Sequence, residues 1–176
     1  MADTCLVVPV PELEPVVRPR LQRRSPEYLF GDPDETHAHI TLLAPFAAEA
    51  DLTEGVLAEL RRFFADVTPF PFALTAVGEF PGGTTYLSPE PASPFRQLTL
   101  ELSRRFPEYP PYGGAFDEVV PHLSVPVPPG QDPERLRREL EPRLPIRAYA
   151  REATLFVCEP GAFSVVDRFA FGTSVA

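Results

Sequence analysis

Two short motifs, His39-Ile40-Thr41 and His122-Leu123-Ser124, combine residue types that can carry out acid–base chemistry on a phosphate. In an extended strand, residues i and i+2 point to the same side, so each motif presents an imidazole beside a hydroxyl. The ordinary pKa of histidine lies close to neutral pH, so one neutral imidazole can accept a proton while a protonated one donates a proton. The hydroxyls can donate hydrogen bonds to phosphate oxygens as charge moves in the transition state. The motifs therefore predict phosphodiester chemistry without a metal.

A purely structural role and a metal site are the alternatives for these histidines. The chain has 3 histidines, and two of them occupy matching motif positions, which favours catalysis over two unrelated core histidines. His37 and His39 could chelate a metal together with His122, but the next acidic residue, Glu49, follows only after an apolar stretch, and such sites need a nearby carboxylate. We therefore expect no metal and no cofactor. We expect His37 at the rim of the site.

The motifs must be held by elements of secondary structure, which the apolar pattern predicts. Strands are expected at 4–9, 37–43, 70–80, 84–88, 122–127, 146–158 and 163–171. One helix, or two short helical pieces interrupted by Pro15 and Pro19, is expected at 12–24. Further helices are expected at 52–67, at 93–106 and from Asp132 to about Leu144. Ser93 and Asp132 are predicted helix N-caps, because each precedes a proline that suits the first helical turn.

The order strand, helix, His-strand, helix, strand occurs twice, at about 4–80 and about 84–158. We interpret the chain as one α+β domain, 1–176, made of two lobes that arose by duplication, with 163–171 as an additional C-terminal strand. Pseudo-two-fold symmetry would bring the two His-strands to face each other across a cleft.

Length, composition and charge narrow the class of protein. A chain of 176 residues with 44% hydrophobic residues fits one globular domain. The net charge of −9 argues against binding long duplex nucleic acid, but it allows a small anionic ligand in a local cleft. With no apolar run of membrane-spanning length and no basic N-terminal segment, we expect no membrane association and a cytoplasmic location. Cys5 and Cys158 are expected to be separate buried thiols in a reducing compartment.

In their wider context the two motifs resemble a known pair of signatures. The segments His39-Ile40-Thr41-Leu42-Leu43-Ala44-Pro45-Phe46 and Pro121-His122-Leu123-Ser124-Val125 are similar to those of the two-histidine phosphoesterases, in the 2′-5′ RNA ligase-like branch. Gly78-Glu79-Phe80, the segment 85–89 and the segment 109–114 are also similar to that branch, so the resemblance covers most of 4–171. It implies a bilobal fold in which two antiparallel sheets flank a groove, helices lie outside, and each lobe supplies one motif.

The resemblance also implies roles for the motif residues. His39 and His122 would be the acid/base pair, and Thr41 and Ser124 would bind the phosphate. For hydrolysis we assign His122 as the base and His39 as the acid, with the roles exchanged in the reverse direction. The implied partner is a small nucleotide or an RNA terminus that carries a 2′,3′-cyclic phosphate or a 2′-5′ linkage. The alternative is a module with the same fold that binds nucleotides or RNA ends with little turnover.

Aromatic side chains along such a groove could stack a nucleobase. The candidates are Phe80, Tyr86, Tyr112 and Phe116. Among them we single out Phe80 and Tyr112 as possible substrate-stacking residues.

Overall fold

The computed structural model describes residues 2–115 and 118–173 of the chain. Its strands are β1 (Thr4–Pro9), β2 (His39–Leu43), β3 (Phe70–Glu79), β4 (Thr85–Glu90), β5 (Leu123–Ser124), β6 (Ile146–Ala150), β7 (Glu152–Val157) and β8 (Ser164–Ala170). Its α-helices are α1 (Glu14–Arg24), α2 (Glu54–Ala65), α3 (Ser93–Arg105) and α4 (Pro133–Leu140). The predicted α+β class is confirmed.

The strands form one antiparallel sheet of eight strands in the order β6-β3-β4-β5-β2-β1-β7-β8. The motif strands β2 and β5 are neighbours at its centre, with three strands on each side. The two sheets expected on either side of a groove are therefore joined edge to edge in the structure. The short strand β5 makes the join, since Leu123 pairs with Ile40 of β2 and Ser124 pairs with Tyr86 of β4.

One face of this sheet is covered by the helices. The main core cluster combines strand residues with residues of all four helices, among them Leu6, Ile40, Leu74, Leu87, Leu123, Leu155, Val16, Leu60, Phe95 and Leu136. Because alternate residues of a strand point to opposite faces, the neighbours of Ile40 and Leu123 project from the face away from the helices. That open face carries both motifs.

Of the two predicted helix N-caps, the structure confirms Asp132 and contradicts Ser93. The carboxylate of Asp132 accepts a hydrogen bond from the Glu134 N–H at 3.0 Å, which confirms it as the N-cap of α4. For α3 the prediction is wrong, because the cap position is Ala92 and Ser93 is the first helical residue. Pro94 lies in the first turn in either case, so the proline signal locates the helix without fixing its first residue. Within the described residues, none of the helices combines the length and apolar character needed to cross a membrane.

The strand predicted at 146–158 is interrupted at Arg151. Its first part, β6, pairs with β3, whereas its second part, β7, pairs with β1 and β8 at the other side of the sheet. Arg147 and Tyr149 of β6 are exposed, while nearly all of β7 is buried. The sequences of β6 and β7 both favour an extended strand, so the local pattern does not reveal that the two strands pair with different strands of the sheet.

The second motif strand is also shorter than the predicted 122–127. Prolines at 126, 128 and 129 follow closely, and because a proline has no N–H to donate, they cannot continue the ladder of hydrogen bonds.

The two cysteines lie together rather than apart. Cys5 on β1 and Cys158 after β7 form a disulfide with Cα atoms 6.1 Å apart. The expectation of two separate thiols is therefore wrong. The pairing depends on the β1–β7 contact, which joins residues 153 positions apart in the chain and leaves no local trace in the sequence.

Candidate active site

The four motif side chains lie close together because β2 and β5 are paired. Ile40 lies directly opposite Leu123, and both are fully buried against the helices. When this antiparallel register is extended by one residue, His39 lies opposite Ser124 and Thr41 lies opposite His122. Directly opposed residues have Cβ atoms about 4.5–5.5 Å apart and diagonal neighbours about 7–8 Å apart. The two imidazoles thus occupy one diagonal of a small square on the open face, and the two hydroxyls occupy the other.

Both imidazoles are oriented by the same local hydrogen bond. Nδ1 of His39 lies 2.7 Å from the carbonyl oxygen of His37, and Nδ1 of His122 lies 2.7 Å from that of Val120. A carbonyl oxygen only accepts, so each Nδ1 carries the hydrogen and donates it. In the neutral ring, Nε2 then holds the lone pair, which makes it the nitrogen that can take up a proton.

Burial controls the proton affinity of this pair. Desolvation lowers the pKa of His39 below its ordinary value, and the charge of His122 adds to the effect, while the bond to the His37 carbonyl and the Glu14 charge oppose it. Desolvation also lowers the pKa of His122, opposed by its bond to Val120. Both rings therefore favour the neutral form, and a bound phosphate would shift them toward the protonated form, since an adjacent negative charge stabilises the imidazolium.

An aromatic cluster surrounds His122. Phe80 contacts the His122 ring edge-to-face, with centroids 4.8 Å apart, and stacks on Tyr86 at 4.2 Å. The Tyr112 ring lies nearly parallel to His122 at 6.3 Å. Tyr112 has a positive φ of 54°, a backbone conformation that non-glycine residues rarely adopt, so the loop holds it in an unusual position. The structure thus brings Phe80, Tyr86 and Tyr112 to the second motif, while Phe116 lies outside the described residues.

A glycine allows this cluster to pack. Gly78 on β3 lies opposite Tyr86 on β4, and the Tyr86 ring lies over its Cα. A Cβ at position 78 would be 2.4 Å from Cζ of Tyr86. Only glycine leaves room for the ring in this position.

His39 has different surroundings. Its ring contacts Phe156 with centroids 5.8 Å apart, and Phe156 belongs to a small buried cluster with Val7 and Phe30. His39 of the first motif therefore lies beside apolar side chains, whereas His122 of the second motif is surrounded by aromatic rings, two of which carry a hydroxyl group.

His37 is not a rim residue, and this prediction is wrong. Its side chain is only 2% exposed, and its Nδ1 lies 2.6 Å from Oε1 of Glu14. Its Nε2 accepts a hydrogen bond from the Phe30 N–H at 3.0 Å. Both ring nitrogens are engaged, which argues against the alternative of a metal chelated by His37 and His39. Among the described residues, no group of three or more histidine, cysteine or acidic side chains is arranged to hold a metal ion.

Sequence reasoning missed Glu14. This residue begins α1, far from either motif in the chain, and it is one of 25 acidic residues. Nothing in its neighbourhood sets it apart, and only the tertiary contact with His37 reveals it.

A histidine and a hydroxyl lie at each of the two paired central strands, which is the arrangement expected from the resemblance to the two-histidine phosphoesterases. The chain belongs to the 2′-5′ RNA ligase superfamily, whose family model matches residues 11–161. The predicted resemblance is confirmed, and membership in a superfamily of phosphoesterases and RNA ligase-like enzymes supports an enzymatic role.

Solved structures share the fold along nearly the whole chain. TT0787 of Thermus thermophilus has 19% sequence identity and a TM-score of 0.65, with 98% of each chain covered. E. coli LigT complexed with 3′-AMP has 18% identity and a TM-score of 0.57, with 97% of this chain and 98% of that chain covered. E. coli LigT complexed with NADP+ has 17% identity and the same TM-score and coverage. No curated protein sequence matches the chain.

Proposed function

We propose that this protein is a metal-independent phosphoesterase acting on a 2′,3′-cyclic phosphate or a 2′-5′ linkage in a small nucleotide or at an RNA terminus. The observation that carries the proposal is the matched pair of imidazoles, each held by an Nδ1–H bond to the carbonyl two residues earlier. That arrangement leaves two Nε2 atoms beside two hydroxyls on one sheet face. It suits one proton acceptor and one proton donor on either side of a phosphate.

In the proposed reaction, a water oxygen attacks the phosphorus of the cyclic phosphate. Nε2 of His122 accepts a proton from the water, the bond from phosphorus to one ribose oxygen breaks, and protonated His39 gives that oxygen its proton. Thr41 and Ser124 donate hydrogen bonds to the nonbridging oxygens, where negative charge accumulates. In the reverse direction, a ribose hydroxyl takes the place of water and the two histidines exchange roles.

The base of the substrate is proposed to lie on the His122 side of the site. Phe80 and Tyr112 flank that imidazole, and a base stacked on an aromatic ring gains about 1–3 kcal/mol. E. coli LigT, which shares the fold, forms complexes with 3′-AMP and NADP+. We extend that ligand class, a small nucleotide, to this chain.

The other side of the open face favours a substrate with few phosphates. A cavity beside β7 and β8 is lined by Asp34, Glu35 and Glu152, together with Arg168. Arg168 forms an ion pair with Glu35, so its charge is already balanced. The remaining carboxylates would repel additional phosphates, as would the net charge of −9.

The proposal is tested by incubating the purified protein, in EDTA, with a panel of 2′,3′-cyclic nucleotides and 2′-5′-linked dinucleotides, followed by ³¹P NMR. We expect turnover that survives EDTA and falls by about a hundredfold or more in His39→Ala and in His122→Ala. Arg138→Ala, on the exposed side of α4, is the control and keeps full activity. Nucleotide binding without turnover on any panel member, unchanged in both histidine variants, would instead identify a binding module.

A further inference from the structure

The carboxylate of Glu14 is surrounded by hydrogen-bond donors of the segment that leads into β2. Oε2 accepts from the backbone N–H of His37 at 2.7 Å and from that of Ala38 at 2.9 Å, and Oε1 accepts from Nδ1 of His37 at 2.6 Å. Burial by itself would raise the pKa of Glu14, but the hydrogen bonds from His37 and Ala38 hold it below its ordinary value. Glu14 is therefore an ionised carboxylate that accepts hydrogen bonds from three N–H groups of the two residues just before the first motif.

His37 has one defined tautomer in this network. Its Nε2 accepts from the Phe30 N–H, so Nδ1 must carry the hydrogen that is donated to Glu14. One contact of Glu14 fixes the His37 ring, and two backbone contacts fix the 36–37 and 37–38 peptide groups, the second of which carries the His37 carbonyl. The Ala38 carbonyl is held from the other side by the Val10 N–H at 2.8 Å.

These peptides orient the reacting imidazole, since the His37 carbonyl accepts the Nδ1–H of His39. The second motif is built differently. Pro121 occupies the place that corresponds to Ala38 and has no N–H to donate, and the Val119 carbonyl accepts instead from Nε of Arg96 at 3.2 Å. A carboxylate supports the first motif, and a proline and an arginine support the second.

We propose that Glu14 is a positioning residue for His39, acting through His37. Its effect on turnover rests on the proposed function, whereas the positioning role does not. The charged and titratable groups that act on His39 are Glu14, His37 and His122. Glu14 is the anion among them, so removal of its charge should lower the pKa of His39 further below its ordinary value.

Glu14→Gln tests the proposal because it keeps the volume of the side chain while removing its charge and one acceptor oxygen. We expect kcat to fall by about tenfold to a hundredfold with KM changed by less than about threefold, as is usual for residues that orient a reacting group. The limb of the kcat–pH profile that belongs to His39 moves to lower pH. Glu59→Gln is the matched control, since Glu59 of α2 binds Arg62 and Arg105 on the outer surface. An unchanged kcat and pH profile in Glu14→Gln would overturn the proposal.

Nitrogen-15 NMR of the imidazoles tests the positioning role without turnover, and only 3 histidines contribute signals. In the wild-type protein, His37 and His39 should both be Nδ1–H tautomers. In Glu14→Gln, the His39 pKa should fall while that of His122 stays within about 0.2 units, a difference of about 0.3 kcal/mol. An Nε2–H tautomer for His39 in the wild-type protein would overturn the proposal even if Glu14→Gln failed to fold. If no substrate is turned over but these spectra are as expected, the proposed function fails while the positioning role stands.

Discussion

The contact between Gly78 and Tyr86 predicts a large effect from the addition of one methyl group. In Gly78→Ala, the new Cβ would lie 2.4 Å from Cζ, 2.6 Å from Oη and 2.7 Å from Cε2 of Tyr86. Ordinary contacts of a Cβ are 3.4–4 Å, so the ring must move by about 1 Å. Tyr86 has little room to do so, because Phe80 stacks on one side and the His122 ring is 5.7 Å away.

The magnitude follows from two opposing effects. Overpacking of this kind costs about 1–3 kcal/mol, whereas replacing a glycine by alanine stabilises a protein by about 0.4–1 kcal/mol through the unfolded chain. The net expectation is a loss of about 1–2 kcal/mol in the free energy of unfolding. The displaced ring also disturbs His122, and a misplacement of about 1 Å in a reacting group can lower the rate by about a hundredfold.

Urea unfolding and steady-state kinetics measure both effects. Gly82→Ala is the matched control, because it lies in the hairpin after β3 and its added Cβ would meet no atom within 4 Å. Repeating Gly78→Ala in a Tyr86→Ala background removes the ring that clashes, so there the methyl group should be neutral or stabilising. The reasoning is refuted if Gly78→Ala is as stable and as active as Gly82→Ala, or if its cost is the same in both backgrounds.

Two further predictions concern stability. Because burial lowers the pKa of His39 below its ordinary value of 6.5, the unfolded chain binds a proton that the folded protein does not. The free energy of unfolding should therefore fall as the pH drops below about 6.5. The change in Tm between about pH 7.5 and about pH 5.5 should be smaller in His39→Gln than in the wild-type protein. An equal change in both proteins would contradict the burial of His39. Reducing the Cys5–Cys158 disulfide should lower the free energy of unfolding by about 2–5 kcal/mol, measured with and without dithiothreitol, and Cys5→Ser should abolish the difference. A Tm that dithiothreitol lowers equally in Cys5→Ser would rule out this disulfide as the cause.

Local patterns were enough to predict most elements of the fold and to place the proposed reacting groups on one strand face. His39 and Thr41 share a strand face because of a two-residue period, which needs no tertiary information. The predicted α2 and α3 follow from apolar residues at helical spacing, and the structure contains both. The duplication of the chain stays a prediction.

Contacts between distant parts of the chain could not be predicted in this way. The joining of the two expected sheets depends on the pairing of β5 with both β2 and β4, which is a matter of register and not of local composition. The burial of His37 depends on Glu14, 23 residues earlier. Single-sequence patterns do not reveal such pairs, because each partner is ordinary in its own neighbourhood.

A crystal structure of the protein with adenosine 2′-monophosphate, a product of the proposed hydrolysis, tests the central claim most directly. We predict one phosphate group within about 3.2 Å of Nε2 of both His39 and His122, with its other oxygens accepting hydrogen bonds from Thr41 and Ser124. A phosphate that contacts only one of the two histidines, or that binds away from the β2–β5 pair, would contradict the proposed mechanism.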